Sequence, residues 1–505
     1  MNYYLCIDYG GTATKAIVFD EQGQEVSSSS FATKRQEVES GFYEVDLGES
    51  WQAIARAIGE SLRLADLPAS AIQAVACIGH GKGLYLLDQE QREFYPGILS
   101  ADSRASDLAQ AFEKRVGEIW ELTRQHVVAP QAPVLLRWLK DHRPDVYQQV
   151  GAVLAAKDYV RFKLTGLVHQ ERGDASGNHW INFQTGAYDP AISTFFGIEE
   201  MAVVLPPLVD YQQIVGGVSQ EAALQTGLLE GTPVLGGLFD IDACALGSGV
   251  LDSETFSLVA GTWNINTYPS GKSADLDSGL MNSLFPTGEY LVEASSPTSA
   301  GNLDAVLKLL MREEMILLKE RGESIYETLE VFLAETDATF SKILFCPFLY
   351  GSNVGQPAEA CFWGLTTQST KSEMIRAVYE GIVFAHKQHL EQLIHSLGRA
   401  PQVLRLSGGA TNSDTWMQMF ADILEIPVEI PQAKELGGLG GAIACHQAVT
   451  GVSLQEAVQQ MVTIDKRFNP RPNSYYLKKY QVYRRLLAAM ESVWQDLLAL
   501  RRAEL

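Results

Sequence analysis

Tyr3-Tyr4-Leu5-Cys6-Ile7-Asp8-Tyr9-Gly10-Gly11-Thr12-Ala13-Thr14-Lys15-Ala16-Ile17-Val18-Phe19 begins with two short apolar runs split by a glycine turn. Tyr3 to Asp8 and Thr14 to Phe19 are too short for helices and are bounded by turn residues, so they read as strands. A third strand, Glu25 to Phe31, follows the turn Asp20-Glu21-Gln22-Gly23. This meander leaves a carboxylate, Asp8, at a strand end. Two glycines let backbone N–H groups approach phosphate oxygens, which makes Gly11 and Thr12 candidate donors, while Lys15 adds positive charge and Asp8 could hold Mg²⁺ directly or through water. The turn leads into a second strand, so it is not a Walker A loop, whose G-x-x-x-x-G-K-[ST] leads into a helix. An ordinary glycine hairpin would explain the turn but not the flanking Asp8 and Lys15.

Outward from this loop the chain continues as α/β. Trp51, Ile54, Ala55, Ile58, Leu62 and Ala65 recur at helical spacing over Glu49 to Ala65, and Ile72 to Ile78 reads as a strand. A helix-rich stretch from about Asp102 to Gly231 includes helices at Pro133 to His142 and Ala156 to Thr165, with Gly173 to Asn178 read as a loop. Thr232 to Phe239 is strand-like and runs into Asp240, ahead of a short helix at Ala243 to Gly249. Phe256 to Tyr268 repeats the strand-turn-strand pattern with Gly261-Thr262 in the turn, a second pair of phosphate donors. We read the repeat as a diverged duplication.

The later half alternates a helix near Asn302 to Glu320, a strand at Ile343 to Cys346, a helix at Lys371 to Ser396 and a strand at Val403 to Leu406. A helix at Ser413 to Leu424, a strand at Val428 to Ile430 and a helix at Gly438 to Val449 follow. At Leu406-Ser407-Gly408-Gly409-Ala410-Thr411-Asn412-Ser413 a strand ends in glycines and enters a helix, a geometry suited to a nucleotide at a helix N-terminus. From about Ser474 a packing helix carries Tyr480, Tyr483, Leu486, Leu487, Met490 and Trp494 on one stripe.

Length sets the domain count. A chain of 505 residues exceeds what one hydrophobic core supports, so two domains are expected, at 1–247 and 248–505. With 61 acidic and 39 basic residues the formal charge is -22, which argues against nucleic-acid or anionic-membrane partners. The six cysteines are scattered without metal-ligand spacing, as thiols of a reducing compartment would be. The start lacks a basic signal-peptide region, and no uncharged apolar run approaches the roughly 20 residues of a membrane helix. A cytoplasmic location is expected. A homodimer is compatible with the chain, on whose assembly the sequence is silent.

Ala360-Cys361-Phe362-Trp363-Gly364-Leu365, followed by Glu373-Met374-Ile375-Arg376-Ala377-Val378-Tyr379-Glu380, resembles the second signature of the FGGY carbohydrate kinases. With the three glycine segments in order, the resemblance covers nearly the whole chain. The first signature, around Leu135 to His142, is matched less well, with Leu135 replacing its usual lysine. The resemblance implies two actin-like, ribonuclease H-like ATPase domains with a cleft between them, using ATP and Mg²⁺ on a small sugar. It implies that Asp240 in Gly237-Leu238-Phe239-Asp240-Ile241-Asp242 is the catalytic base, with Asp242 the competing candidate and helix N-capping the purely structural reading of Asp240. It places Gly261, Thr262, Gly301, Asn302, Gly409, Ala410 and Asn412 at the nucleotide, beside Gly11, Thr12 and Lys15, and His80, Lys82, Asp102, Arg104 and Asp240 at the sugar.

Ser100 stands where many members have Trp, and Gly81-Lys82 where they have a Met-His pair, which argues against an ordinary D-xylulose or glycerol kinase. Together with Leu122 to Gln125 and Ser296 to Asn302, these residues resemble the L-xylulose/3-keto-L-gulonate branch of the family. Lys82 could pair with a sugar-acid carboxylate, donate to a hydroxyl, or be a solvated loop lysine. Other substrates left open are D-xylulose, L-ribulose, erythritol and glycerol. An actin-like ATPase without sugar kinase activity is the alternative of another class, and a regulator built on the fold would need a basic helix-turn-helix that the N-terminus lacks.

Overall fold

A computed structural model describes residues 2–355 and 358–503. The chain forms two compact units that do not follow a single cut: the first takes Met1–Leu251, Pro269–Val292 and Glu435–Thr463, and the second takes Asp252–Tyr268, Glu293–Lys434 and Ile464–Leu505. The sequence division at residue 247 assigned 435–463 to the second domain. Glycine packing, described below, draws that segment into the first.

The first unit is built on a sheet ordered Ile214–Gly217, Pro233–Leu235, Ile72–Gly79, Tyr3–Tyr9, Ala13–Asp20 and Glu25–Ala32. Tyr3–Tyr9 pairs antiparallel with Ala13–Asp20, with Asp8 opposite Lys15, and parallel with Ile72–Gly79, with Asp8 opposite Ile78. Tyr4 to Ile7 are fully buried on both faces, as in a central strand covered on each side. Leu5, Ile7, Ala16 and Val18 join Ile54, Ala57 and Ile58 of helix Leu47–Ala65 in one core. Asp46 caps this helix by accepting from the Glu49 amide at 2.7 Å, and left-handed Asp66 ends it. A separate core, including Leu84, Phe112, Trp120, Leu136, Val153, Trp180 and Phe196, supports the helix-rich middle region.

The other sheet face receives helix Leu436–Thr450. The glycines of Glu435-Leu436-Gly437-Gly438-Leu439-Gly440-Gly441 let backbone meet backbone. A Cβ on Gly440 would collide with Ala243 of helix Asp240–Gly247, one on Gly247 with Leu436, and one on Gly441 would lie 2.6 Å from Ile78 Cδ1. Gly438 similarly faces Phe19 and Ile17.

Several expectations change. Gly173–Asn178 is not a loop but carries the helix Arg172–Gly177, whose N-terminal amides Gly173 and Asp174 are taken by the Glu171 carboxylate. The strand expected over Thr232–Phe239 breaks into Pro233–Leu235 and Leu238–Phe239, because Gly237 turns left-handed (φ 86°) against the Cys77 carbonyl. Helix Asp240–Gly247 then starts three residues earlier than its apolar pattern predicts.

In the second unit Asn264–Ser270 pairs antiparallel with Thr255–Ala260, which pairs parallel with Val403–Ser407, then parallel with Val428–Pro431, then antiparallel with Ile464–Phe468. The first sheet has the same sequence of directions, matching the duplication read from Gly10-Gly11 and Gly261-Thr262. Helix Lys371–Leu397 is closed by a Thr370/Glu373 capping box. Its Arg376 and Glu380 pair at 3.0 Å, and Lys479 of the terminal helix Ser474–Ala503 completes the buried network. Of the expected stripe that helix buries Tyr480, Tyr483, Leu487 and Trp494 and half-buries Leu486 and Met490. The helix expected over Asn302–Glu320 is interrupted at Met311, giving Gly301–Leu310 and Arg312–Glu320, and the helices Ile325–Glu335 and Leu454–Met461 and the strand Ile464–Phe468 are additions.

Gly→Ala in a helix interior ordinarily stabilises by up to about 1 kcal/mol. Gly440→Ala is expected to do the reverse and cost about 2 kcal/mol or more, because the added carbon meets backbone that cannot rotate away. An unchanged urea midpoint would show that the two helices part without cost.

Candidate active site

Asp8, His80 and Asp240 follow from one register. Tyr9 lies opposite Gly79, and Phe239 lies opposite Gly79 on its other side, so the three parallel strands end level. Asp8 is next to last in its strand, while His80 and Asp240 directly follow theirs. Carboxyl ends of parallel strands are the usual ligand edge of an open α/β sheet.

Asp240 lies in the first turn of its helix. The N-cap is Phe239, with no side-chain cap bond, so Asp240 does not serve as the cap. Burial, then the charges of Asp8 and Asp174, push the Asp240 carboxyl up to about 8, while the Ile241 amide and Lys82 pull it down. Burial pushes Asp8 up to about 6; Lys15 lowers it and Glu435 raises it. Among the described residues no hydrogen bond reaches the Asp8 carboxylate.

Asp242, two residues on, faces the interior. It is 1% exposed, its Oδ1 has no partner, and burial with Glu171 and Asp174 holds its carboxyl far above the usual range. Beneath lies a sealed ion cluster: Lys157 Nζ reaches Asp174 at 3.0 Å, Asp158 at 3.1 Å and Glu171 at 3.5 Å, while Arg161 reaches Asp158 at 2.7 Å. The cluster was missed because Asp174 sat in an expected loop and Lys157 in an ordinary helix. Only the fold brings them together.

His80 is buried and bonded at both nitrogens, Nδ1 to the Gly81 carbonyl at 3.4 Å and Nε2 to the Tyr85 hydroxyl at 2.8 Å. Burial lowers it to about 4, so it is neutral at physiological pH. A Cβ at position 81 would overlap the Phe239 ring, which explains why glycine stands there. Lys82 is left-handed (φ 65°), half-buried and held between Gly81 and Gly83. Its ammonium makes no hydrogen bond or ion pair among the described residues, and its charge is felt at Asp240 and His179.

Gly83 abuts His80 and the Ile98 carbonyl, and the Asp102 amide donates to Leu99 in the next turn. Asp102 and Arg104 come together, but with each other: Arg104 Nε meets Asp102 Oδ1 and Nη2 meets Oδ2, both at 2.9 Å, and Nη2 also meets Glu44 at 2.8 Å. Phe42 and Trp138 cover the guanidinium at 4.8 and 5.3 Å. Lys15 is likewise engaged, by Glu435 at 2.7 and 2.9 Å.

In the second unit the segments around Gly261, Gly301 and Gly408 converge at the ends of Thr255–Ala260 and Val403–Ser407. Gly408 (φ 91°) presses on Ala260 and Gly261, and Gly301 lies against Thr262. Gly261 and Gly409 are open above their backbones. Gly409–Asn412 forms a separate turn, with Ala410 buried and the Asn412 side-chain Nδ2 donating to Gly409 O at 3.1 Å. Ser413 then caps the helix Asp414–Leu424 by accepting from Trp416 at 3.0 Å. Asn302 is fully buried, donating to Pro297 O at 2.9 Å and accepting from the Leu349 amide at 3.0 Å.

No group of three or more His, Cys, Asp or Glu among the described residues converges as a metal cage. Mg²⁺ seldom needs one, since one or two carboxylates with water and phosphate oxygens suffice. Asp8, unbonded, pushed up and beside a second such carboxylate, has the hard oxygen donors for that role.

Two α/β units of matching sheet direction carry glycine turns, and the first carries carboxylates at its strand ends, a scaffold suited to holding phosphate groups. Residues 3–247 match the N-terminal domain of the FGGY family of carbohydrate kinases and residues 256–449 its C-terminal domain. The chain belongs to that family and is a sugar kinase. It is 35% identical to a "Probable L-xylulose kinase" of Pasteurella multocida (strain Pm70) over 500 residues, covering 98% of this chain and 100% of that protein. It is 33% identical to the "L-xylulose/3-keto-L-gulonate kinase" of Escherichia coli (strain K12), covering 97% of each. A ligand-bound xylulose kinase structure from Lactobacillus acidophilus shares the fold, with TM-score 0.88 at 22% identity, covering 98% of this chain and 100% of that one. No helix among the described residues is long and apolar enough to cross a membrane.

Because the folded Asp240 binds its proton more tightly than the unfolded chain does, its ionisation costs stability. The cost is absent below about pH 4, grows with pH and is complete above about 8. Asp240→Asn removes it. Melting curves should show the variant within error of the parent near pH 4 and a few degrees higher near pH 8.5; a constant difference across that range would refute the assigned titration.

Proposed function

We propose that this kinase, in the cytoplasm, transfers the γ-phosphate of ATP to a hydroxyl of L-xylulose or 3-keto-L-gulonate. The observation that carries the substrate reading is the full-length likeness to kinases named for those sugars. It is supported by Gly81-Lys82, where glycine is required by Phe239 and the lysine's charge is unspent.

Asp240 accepts the proton of the attacking hydroxyl as its oxygen bonds to the γ-phosphorus. Its raised pKa makes it a better base than an ordinary carboxylate once ionised, and it is partly accessible where Asp242 is sealed. Asp8 would hold Mg²⁺, which would supply neutralisation of charge on the phosphates. In the first unit the amides of Gly11 and Thr12 serve as phosphate donors; in the second the amides of Gly261, Thr262, Gly409 and Ala410 serve the nucleotide, with Asn412 in the same turn as Gly409. Lys15 adds its field from the Glu435 pair, and Asn302 braces the Gly301 turn. Neutral His80 and the Asp102–Arg104 pair shape the sugar side, and Lys82 pairs with the carboxylate of the ketosugar acid.

A coupled ADP-release assay over L-xylulose, 3-keto-L-gulonate, D-xylulose, L-ribulose, erythritol and glycerol tests the substrate. The first two should give the highest kcat/KM, and turnover no higher than the ATPase background would end the reading. Asp240→Asn should lower kcat by at least about 10²-fold with ATP binding retained. Activity kept in that variant but lost in Asp242→Asn would move the base.

Lys82→Met should lower kcat/KM for 3-keto-L-gulonate by about 10-fold or more, the worth of one charge-assisted hydrogen bond, and change L-xylulose little. Equal losses on both substrates would place the ammonium at the reacting groups instead.

A further inference from the structure

Cys346 and Cys361 belong to different strands of one short antiparallel ladder, Leu344–Cys346 with Cys361–Trp363, and the register sets them directly opposite each other. Residues so paired have Cα atoms about 4.5 to 5.5 Å apart, inside the range a disulfide spans. Phe345 and Phe362, the adjacent pair, are in ring contact at 4.6 Å, so the ladder is closed at this point. The Trp363 indole N–H donates to Cys361 Sγ. Cys346 is 1% exposed, whereas Cys361 is half-buried and reachable. We propose that Cys346 and Cys361 are a reversible thiol-oxidation site that closes to a disulfide.

The chemistry is exchange with an oxidised low-molecular-weight disulfide. The Cys361 thiolate attacks one sulfur of the reagent and expels one thiolate. Cys346 loses its proton and attacks the Cys361 sulfur, expelling the second. The protein gives up two electrons and two protons, and the reagent becomes two thiols. Hydrogen bonding from the Cys346 thiol and the Trp363 indole lowers the Cys361 thiol, which favours it as the attacking group. A second neighbouring pair, Cys6 and Cys445, is fully buried and offers no such entry. The Leu349 amide, three residues past Cys346, bonds to Asn302 of the glycine segment, so the oxidised ladder adjoins a candidate nucleotide residue.

The full-length native protein is incubated with oxidised glutathione, free thiols are blocked, and the chain is digested and mapped by mass spectrometry. The expected result is one linked pair, Cys346 with Cys361, with the other four of the six cysteines unlinked and the link reversed by dithiothreitol. Cys361→Ser and Cys346→Ser should each abolish it, and the wild-type map decides alone if either variant fails to fold. A glutathione adduct stable on Cys361 beside a free Cys346, linkage of another pair, or six unmodified thiols would each overturn the proposal.

Discussion

The backbone-to-backbone seat of helix Leu436–Thr450 on helix Asp240–Gly247, with further glycines laid against side chains of the first sheet, is the contact on which the active site depends. Gly247, Gly440 and Gly441 have no room for a side chain there. Without that approach the helix carrying Asp240 would have no floor, and Glu435 would not reach Lys15. Packing at this density tolerates no added carbon, since interiors fill space as crystals do. A segment beginning nearly two hundred residues beyond Asp240 is thereby fixed beside it.

Charge is the second constraint. Asp8, Asp240, Asp242, Asp174, Asp158 and Glu171 share a region whose buried cations are Lys157 and Arg161, with Lys15 and Lys82 nearer the surface. The excess of carboxylates, together with burial, pushes the carboxyls of Asp242, Asp240 and Asp8 above the usual carboxylate range. A site so poised gains from a divalent cation and resists losing its lysines. It also separates two aspartates that the sequence left as rivals: one is sealed among acids, the other open at a strand end.

Much of the fold was legible because its signals are local. The alternation of Tyr3–Phe19 around Gly10-Gly11, the helical spacing of Trp51 to Ala65 and the stripe from Tyr480 to Trp494 each hold within one element. Failures fell where a distant group overrides local preference: Glu171 turns an expected loop into a helix, and the Cys77 carbonyl forces Gly237 to break a strand. The packing of Glu435–Thr463 with residues 1–251 is likewise set by groups distant in the chain, and no composition shift marks it.

By itself the sequence determined the class of most of the elements with strong local periodicity, the family and the identities of Asp8, His80 and Asp240 as candidates, since period, turn chemistry and motif spacing are written in neighbouring residues. Tertiary structure alone decided how those groups are employed. Lys15 is spent on Glu435 across 420 residues, Asp102 and Arg104 are spent on each other and on Glu44, and Lys82 keeps its charge free. Hydrogen bonds and ion pairs form between groups that the fold brings within about 3 Å, and chain order does not encode that distance.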